Sequence, residues 1–264
     1  MAETQHDVRV HVASINTAEV TELCIRSMRR TAGYPFELVV GDGGSTDGSL
    51  EMLRRFERDG WLTLEVAPGG RKHAEWLDKW HAECPTKFAV FSDSDVEYHQ
   101  LGWLAEMVTA ARNQNAALVA TRIQARGGVP YTHPRTGARR ILAERPEPWL
   151  MMIDVTHTRG NVTSGFEYRD ETAPSGEGKI GFDIAAAFFR DLQAQGLTYV
   201  EMPADFQRAY THYGGMSWKR SRDRGMPLTH RVKQFVKAAR VRANLVRARR
   251  DDARQSRAVH PPRT

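Results

Sequence analysis

The chain opens on an alternation. In Val8-Arg-Val-His-Val-Ala-Ser14 apolar and polar residues exchange places, the two-residue period of a half-buried strand. Val20, Leu23, Cys24 and Met28 then recur three to four residues apart and predict a helix from Glu19 to Arg30. The same pair of patterns repeats. A strand over Phe36–Val40 precedes a helix over Ser49–Arg58, and a strand over Trp61–Val66 precedes a helix around Ala74–His81. A fourth strand covers Phe88–Ser92. This β-α-β-α-β-α-β order predicts an α/β fold, a mostly parallel sheet with helices on both faces.

Beyond Asp95 the pattern loosens. A helix is predicted from Gly102 to Arg112, strands over Ala116–Ile123 and Leu150–Val155, a helix from Asp183 to Gln195 closed by Gly196, and a last strand over Leu197–Met202. Residues 124–148 and 160–181, rich in Gly and polar residues, read as long loops, which in compact domains are usually functional. Trp76 and Trp80 share one helical face and read as core.

Charge divides the chain. Residues 219–264 hold 15 Lys/Arg against 3 Asp/Glu, a net of +12, in a protein whose total is +6, so residues 1–218 sit at −6. Within this tail Val232, Phe235, Val236, Ala239, Ala243 and Val246 fall on one helical face, with Arg and Lys over the rest, predicting a basic amphipathic helix. An anionic membrane surface and a second subunit are the partners it suggests first, and nucleic acid is the weaker suggestion. The division expected is 1–100, 101–218 as the second half of the same domain, and 219–264 as the tail. No apolar run is long enough to span a bilayer. The first residues lack signal-peptide character, and Cys24 and Cys84 are expected as two buried thiols, so a cytoplasmic location, with the tail peripheral on the membrane's inner face, is the expectation.

Candidate chemistry concentrates at two strand ends. The run Phe88-Ala-Val-Phe-Ser-Asp-Ser-Asp-Val96 carries an apolar strand straight into Asp93 and Asp95. Open α/β sheets bind ligands at the carboxyl ends of their strands. Two carboxylates so close repel unless a cation lies between them, and oxygen donors of this kind suit Mg²⁺ or Mn²⁺. The second place is Gly41-Asp-Gly-Gly-Ser-Thr-Asp-Gly48, where Asp42 ends a strand, Gly43 and Gly44 admit a ligand to the backbone, and Ser45 or Thr46 can cap the next helix. A carboxylate at Asp42 can accept from a nucleobase N–H or ribose hydroxyls.

Together these elements resemble family 2 glycosyltransferases. Asp42-Gly-Gly-Ser-Thr-Asp-Gly-Ser49 is similar to that family's Asp-Gly-Ser-Thr-Asp-Gly element with one Gly added, and Asp93-Ser-Asp95 to its metal-binding Asp-X-Asp. The resemblance covers roughly residues 8–215. It implies a GT-A fold whose first half binds the donor and second half the acceptor, a nucleotide-diphosphate sugar donor, an acceptor hydroxyl, an inverting reaction, and Mn²⁺ or Mg²⁺ held by Asp93, Asp95 and His212. It sets the donor against Ser14, Asn16, Asp42, Gly43, Asp93 and Ser94. It places the catalytic base at Asp183, although Phe182 stands where the family has Glu and a helix cap would also account for an Asp there. Glu177 is the rival base and Asp154 a weaker one. Arg71 and Lys72 could neutralise phosphate charge but read first as solvated surface, His73 and Asp78 match only part of a family pattern that lines the diphosphate side, and no His other than His212 is given a metal role. Trp149 and Trp218 are candidates for stacking on a sugar. Arg126, Arg135, Arg139, Arg140 and Arg145 offer charge to an anionic acceptor.

Two other functions share parts of this pattern. A sugar-1-phosphate nucleotidyltransferase needs a Gly-rich, basic loop after its first strand, and Ser14-Ile-Asn-Thr-Ala-Glu19 has neither feature. A non-catalytic module binding partners or nucleic acid through its tail leaves the acidic residues without a purpose.

Overall fold

The computed structural model describes residues 6–132, 137, 139–173, 178–216 and 228–259. Its centre is a seven-stranded sheet. The alternating and apolar runs become β1 (Val8–Ser14), β2 (Glu37–Asp42), β3 (Thr63–Val66) and β4 (Phe88–Asp93), joined by α1 (Ala18–Thr31), α2 (Ser49–Arg58) and α3 (His73–Glu83). β1 pairs in parallel with both β2 and β4, and β2 with β3. After the short β5 (Val96–Tyr98) and α4 (Trp103–Asn113), the sheet continues through β6 (Leu118–Ala120), β11 (Leu150–Asp154) and β14 (Tyr199–Glu201) in the order β14-β6-β11-β4-β1-β2-β3. β11 is antiparallel to both of its neighbours. Both halves of the chain therefore contribute strands to one sheet.

Two layers of helix bury that sheet. Cys24, Ile25 and Met28 of α1, Leu53 and Phe56 of α2, and Trp103, Leu104 and Met107 of α4 close one face. Trp76, Leu77 and Trp80 of α3 close the other, with Phe188, Phe189 and Leu192 of α6 (Ala186–Ala194). β4 is buried from Phe88 to Phe91, so its apolar run sits between two cores, each large side chain there worth roughly 1.5–3 kcal/mol. Gly41 shows how close the packing is. A Cβ there would lie 2.7 Å from the Trp80 ring and 2.9 Å from Trp76, whose rings stack at 4.9 Å. Cys24 and Cys84 are buried free thiols, as expected.

Several sequence expectations need correction. Ala116–Ile123 breaks into β6 and β7 (Ile123–Gln124). The two long loops hold strands. β8 (Val129–Thr132), β9 (Arg139–Leu142) and β10 (Arg145–Pro146) lie in the first, and β12 (Arg169–Thr172) with most of β13 (Lys179–Phe182) in the second. Their pairing in the order β12-β13-β9-β8 makes a separate four-stranded sheet. α6 starts at Ala186, after a left-handed Ala185 (φ 66°), and not at Asp183.

The tail differs most. α7 (Leu228–Val259) is helical as expected, but it has a second apolar face. Val241, Leu245 and Ala248 are buried with Val20 and Leu23 of α1 and with Tyr213 and Met216. Ion pairs flank this seam: Arg249–Glu22 at 2.6 Å, Arg242–Glu19 at 2.9 Å, Arg30–Asp251 at 3.7 Å, and Arg26–Asp252. Part of the tail's positive charge thus answers acids on α1. The face picked out in the sequence, from Val232 to Val246, points to solvent. Among the described residues no helix is long and apolar enough to cross a membrane.

Candidate active site

β4 delivers Asp93 to the carboxyl rim of the sheet, and the turn into β5 brings Asp95 beside it. The third element, β15 (Tyr210–His212), pairs antiparallel with β5 and sets His212 opposite Val96. His212 Nε2 lies 3.2 Å from Asp95 Oδ1 and 3.6 Å from Asp93 Oδ2. One ligand atom from each of the three residues falls within 4.8 Å of the others. The backbone fixes Asp95 further, since Tyr213 N–H donates to its carbonyl at 2.9 Å and Met216 N–H to Oδ2 at 3.3 Å. The donor set, two carboxylates and an imidazole converging on one point, fits a divalent ion that accepts oxygen and nitrogen ligands.

The electrostatics agree with that fit. Burial pushes the Asp93 carboxyl above the usual range; nearby His73 opposes the shift, and the charge of Asp95 adds to it. Burial disfavours the charge on His212, yet its hydrogen bond to Asp95 and the charges of Asp95 and Asp93 raise it above its ordinary value. A cation placed among these groups relieves the carboxylate repulsion and displaces the imidazolium proton.

The three residues line a cavity of about 390 Å³ together with Ser14, Ser94, Arg71, His73 and Trp76. Ser14 and Ser94 belong to its floor of hydroxyls, Ser14 Oγ at 3.1 Å from Thr21 and Ser94 Oγ at 3.2 Å from Thr17. Two lining residues are only partly read from the sequence. His73, given no metal role, puts Nε2 3.3 Å from Asp93 Oδ1. Arg71, read as solvated, stands in the wall with its guanidinium 4.5 Å from the Trp76 ring centre. Topology is the signal that would have found them. A parallel β3–α3–β4 crossover returns the start of α3 to the rim that holds Asp93.

Asn16, Asp42 and Gly43 stand behind this cavity. Asn16 Oδ1 accepts from Thr46 N–H at 2.8 Å, tying the loop after β1 to the loop after β2. Asp42 is fully buried; Oδ2 accepts from the N–H groups of Gly44 and Ser45, while Oδ1 has no hydrogen-bond partner among the described residues. Gly43 N–H donates to Ser14 O, and a Cβ on Gly43 would approach Arg71 O to 3.2 Å, so three loops cross closely here and a larger residue would need the Arg71 backbone to give by a few tenths of an ångström.

Asp183 sits to one side. Its Oδ2 is 3.1 Å from Arg145 and its Oδ1 accepts from Ile184 N–H, so it does not cap α6. The next residue, Ile184, lines the 390 Å³ cavity. Asp183 itself lines a neighbouring cavity of about 540 Å³ with Tyr131, Arg140, Leu142, Tyr168 and Asp170. Asp154 is elsewhere. Because β11 runs antiparallel, its end pairs with Phe88 at the far rim, where Asp154 caps α5 (Val155–Thr158) and pairs with Lys87. Glu177, Arg135 and Trp218 lie outside the described residues. Trp149 is stacked on His212 (4.5 Å, 23°), so that face of the ring is already covered. Arg126, Arg140 and Arg145 each pair with a protein carboxylate, whereas Arg139 is exposed.

A mostly parallel sheet between helices, with an acidic cluster at its carboxyl rim and a small sheet beside it, is a GT-A-like fold. One solved structure agrees: mannosyltransferase PcManGT from Pyrobaculum calidifontis, in complex with GDP-Man and Mn²⁺, superposes with a TM-score of 0.51 at 18% identity, over 98% of this chain and 77% of that one. TarS 1–349 from S. aureus in complex with UDP-GlcNAc gives a TM-score of 0.43 at 15% identity, over 67% of this chain and 55% of that one. No curated protein matches the sequence. The model of the family described as Glycosyl transferase family 2 matches residues 10–169, and the chain belongs to that family. It is a nucleotide-sugar-dependent glycosyltransferase, which sets aside both the nucleotidyltransferase and the non-catalytic alternatives.

Proposed function

We propose that the protein is a metal-dependent, inverting glycosyltransferase that moves a sugar from a nucleotide-diphosphate donor to an acceptor hydroxyl. One observation carries this reading: Asp93, Asp95 and His212 offer ligand atoms within 4.8 Å of one another on the wall of a cavity large enough for part of a nucleotide sugar. Mn²⁺ or Mg²⁺ bound there supplies Lewis acidity toward the departing diphosphate. Arg71 adds positive charge to the same wall. Ser14 and Ser94 offer hydroxyls to the donor, and Asp42, assigned to the nucleobase or ribose, has an unpartnered Oδ1 that is fully buried and meets the donor only if the loop at Gly43 and Gly44 shifts on binding. Asn16 contributes by holding the two loops together.

Asp183 is assigned as the base. It lies between the donor cavity, reached through Ile184, and the second cavity, which is on the acceptor side in this reading. Arg145 orients its carboxylate through Oδ2, and Oδ1, which accepts from Ile184 N–H, keeps a second lone pair to receive the hydroxyl proton as the acceptor oxygen attacks the anomeric carbon from the face opposite the diphosphate. The functional division follows, with residues 1–100 holding the donor and 101–218 the acceptor. PcManGT binds GDP-Man and Mn²⁺, the donor type and ion class assigned here.

NMR of the transfer product tests the stereochemistry. The anomeric configuration is expected to invert relative to the donor, and a product of retained configuration contradicts the role given to Asp183.

A further inference from the structure

α7 is apolar on two opposite sides. Its inner side rests on α1. Its outer side carries Val232, Phe235, Val236 and Val246, which are 53%, 74%, 59% and 46% exposed, with Ala239 and Ala243 between them. At 1.5 Å per residue this stripe runs for about 21 Å. Lys233, Arg240, Arg247 and Arg254 recur at every seventh position, hence along one flank of the stripe, and all four are exposed. The helix has two acids, Asp251 and Asp252, and both turn inward to Arg30 and Arg26 of α1. The outer side is therefore apolar along its middle and cationic along the edge of the apolar stripe, with Asp251 beyond the stripe's end at Val246 and 3.7 Å from Arg30.

We propose that this outer side docks on an anionic lipid bilayer, with Phe235 and the valines among the acyl chains and the Lys/Arg row among the headgroups. The inference goes beyond sugar transfer and uses none of the residues assigned to it. Charge complementarity selects the occupant. A second copy laid on the stripe would bring one mainly cationic row, four Lys/Arg, against another. A nucleic acid would meet an apolar centre where its phosphates need cations. A bilayer with acidic headgroups satisfies both the apolar middle and the charged edge.

The test is flotation of the full-length chain with vesicles of phosphatidylcholine alone or of phosphatidylcholine with roughly one-third phosphatidylglycerol. Binding is expected to the mixed vesicles only, and to weaken at high salt. Lys233→Ala with Arg247→Ala should reduce partitioning on the order of 25-fold, at about fivefold per cation removed. Phe235→Glu should abolish it while leaving the melting temperature and donor binding unchanged, because the side chain is 74% exposed and belongs to no buried cluster among the described residues. Failure to float with mixed vesicles overturns the proposal, as does flotation indifferent to both variants. Two further results contradict it in favour of other occupants, each in the absence of vesicle binding. One is a concentration-dependent dimer in sedimentation velocity that Phe235→Glu dissolves. The other is salt-sensitive binding of a single-stranded oligonucleotide that the Lys233/Arg247 variant loses.

Discussion

At the scale of single residues, the account depends on His212 being shared by two carboxylates. Its raised pKa has a definite sign. With the folded value above the unfolded one, the pairing in metal-free protein contributes stability below the ordinary imidazole range near 6.5, and that contribution is lost as pH rises through the raised value. Thermal melts of metal-free protein across this range should show the loss, and His212→Gln should flatten it. Metal binding has the opposite dependence, because it must expel the proton. Mn²⁺ affinity measured by calorimetry is expected to fall as pH drops, starting above the range of a free imidazole. Asp95→Ala should weaken Mn²⁺ at least ~10–100-fold, the loss typical even of a group one step removed from a metal. Asp93, Asp95 and His212 were legible because an apolar strand ending in acids is a local signal and the family pattern extends it to His212. His73 and Arg71 were only partly so, because what recruits them is where a helix start lies in space.

At the scale of elements, the parallel core was legible because each of its strands and helices carries its own period. The four-stranded side sheet was hidden for the opposite reason. Val129-Pro-Tyr-Thr, Arg-Arg-Ile-Leu142, Arg169-Asp-Glu-Thr and Lys179-Ile-Gly-Phe are short, the first exposed throughout and the other three carrying charge, and β9 meets β13 only through long-range pairing. α7 was legible as a helix but only half legible as a surface. The outer stripe is the longer apolar pattern, and Val241, Leu245 and Ala248 become a core only when α1 lies beneath them. Two substitutions measure these packings by urea unfolding. Gly41→Ala forces a methyl against Trp76 and Trp80 and should cost about 1–3 kcal/mol. Leu245→Ala opens the α1–α7 seam and should cost about 2 kcal/mol or more.

At the scale of the whole molecule, the active site and the tail are mechanically joined. Lys237 of α7 donates to the carbonyls of Tyr213 and Gly214, directly after His212. Tyr213 O–H donates to Glu97 at 2.5 Å, and Asn244 of α7 reaches the same carboxylate at 2.9 Å. The loop behind His212 is thus clamped between β5 and the basic helix. A helix read from sequence as an appendage is a support of the site, and no local pattern announces it, because the clamp uses backbone carbonyls. The base assignment is tested at this scale too, by separating chemistry from binding. Asp183→Asn should lower transfer by roughly 10²–10⁴-fold with donor affinity retained, and near-normal turnover would move the role to Glu177.

The central claim is that the acidic cluster at the sheet's rim holds a divalent ion for the nucleotide diphosphate. Thermal unfolding of wild-type protein and Asp95→Ala with nucleoside diphosphates, each with and without Mn²⁺, tests it most directly. At about a hundredfold excess over the dissociation constant, the matching diphosphate with Mn²⁺ should raise the wild-type melting temperature by ~5 °C or more. Neither the metal-free arm nor Asp95→Ala should show that rise. An equal rise in Asp95→Ala, or a rise that ignores Mn²⁺, would contradict the account.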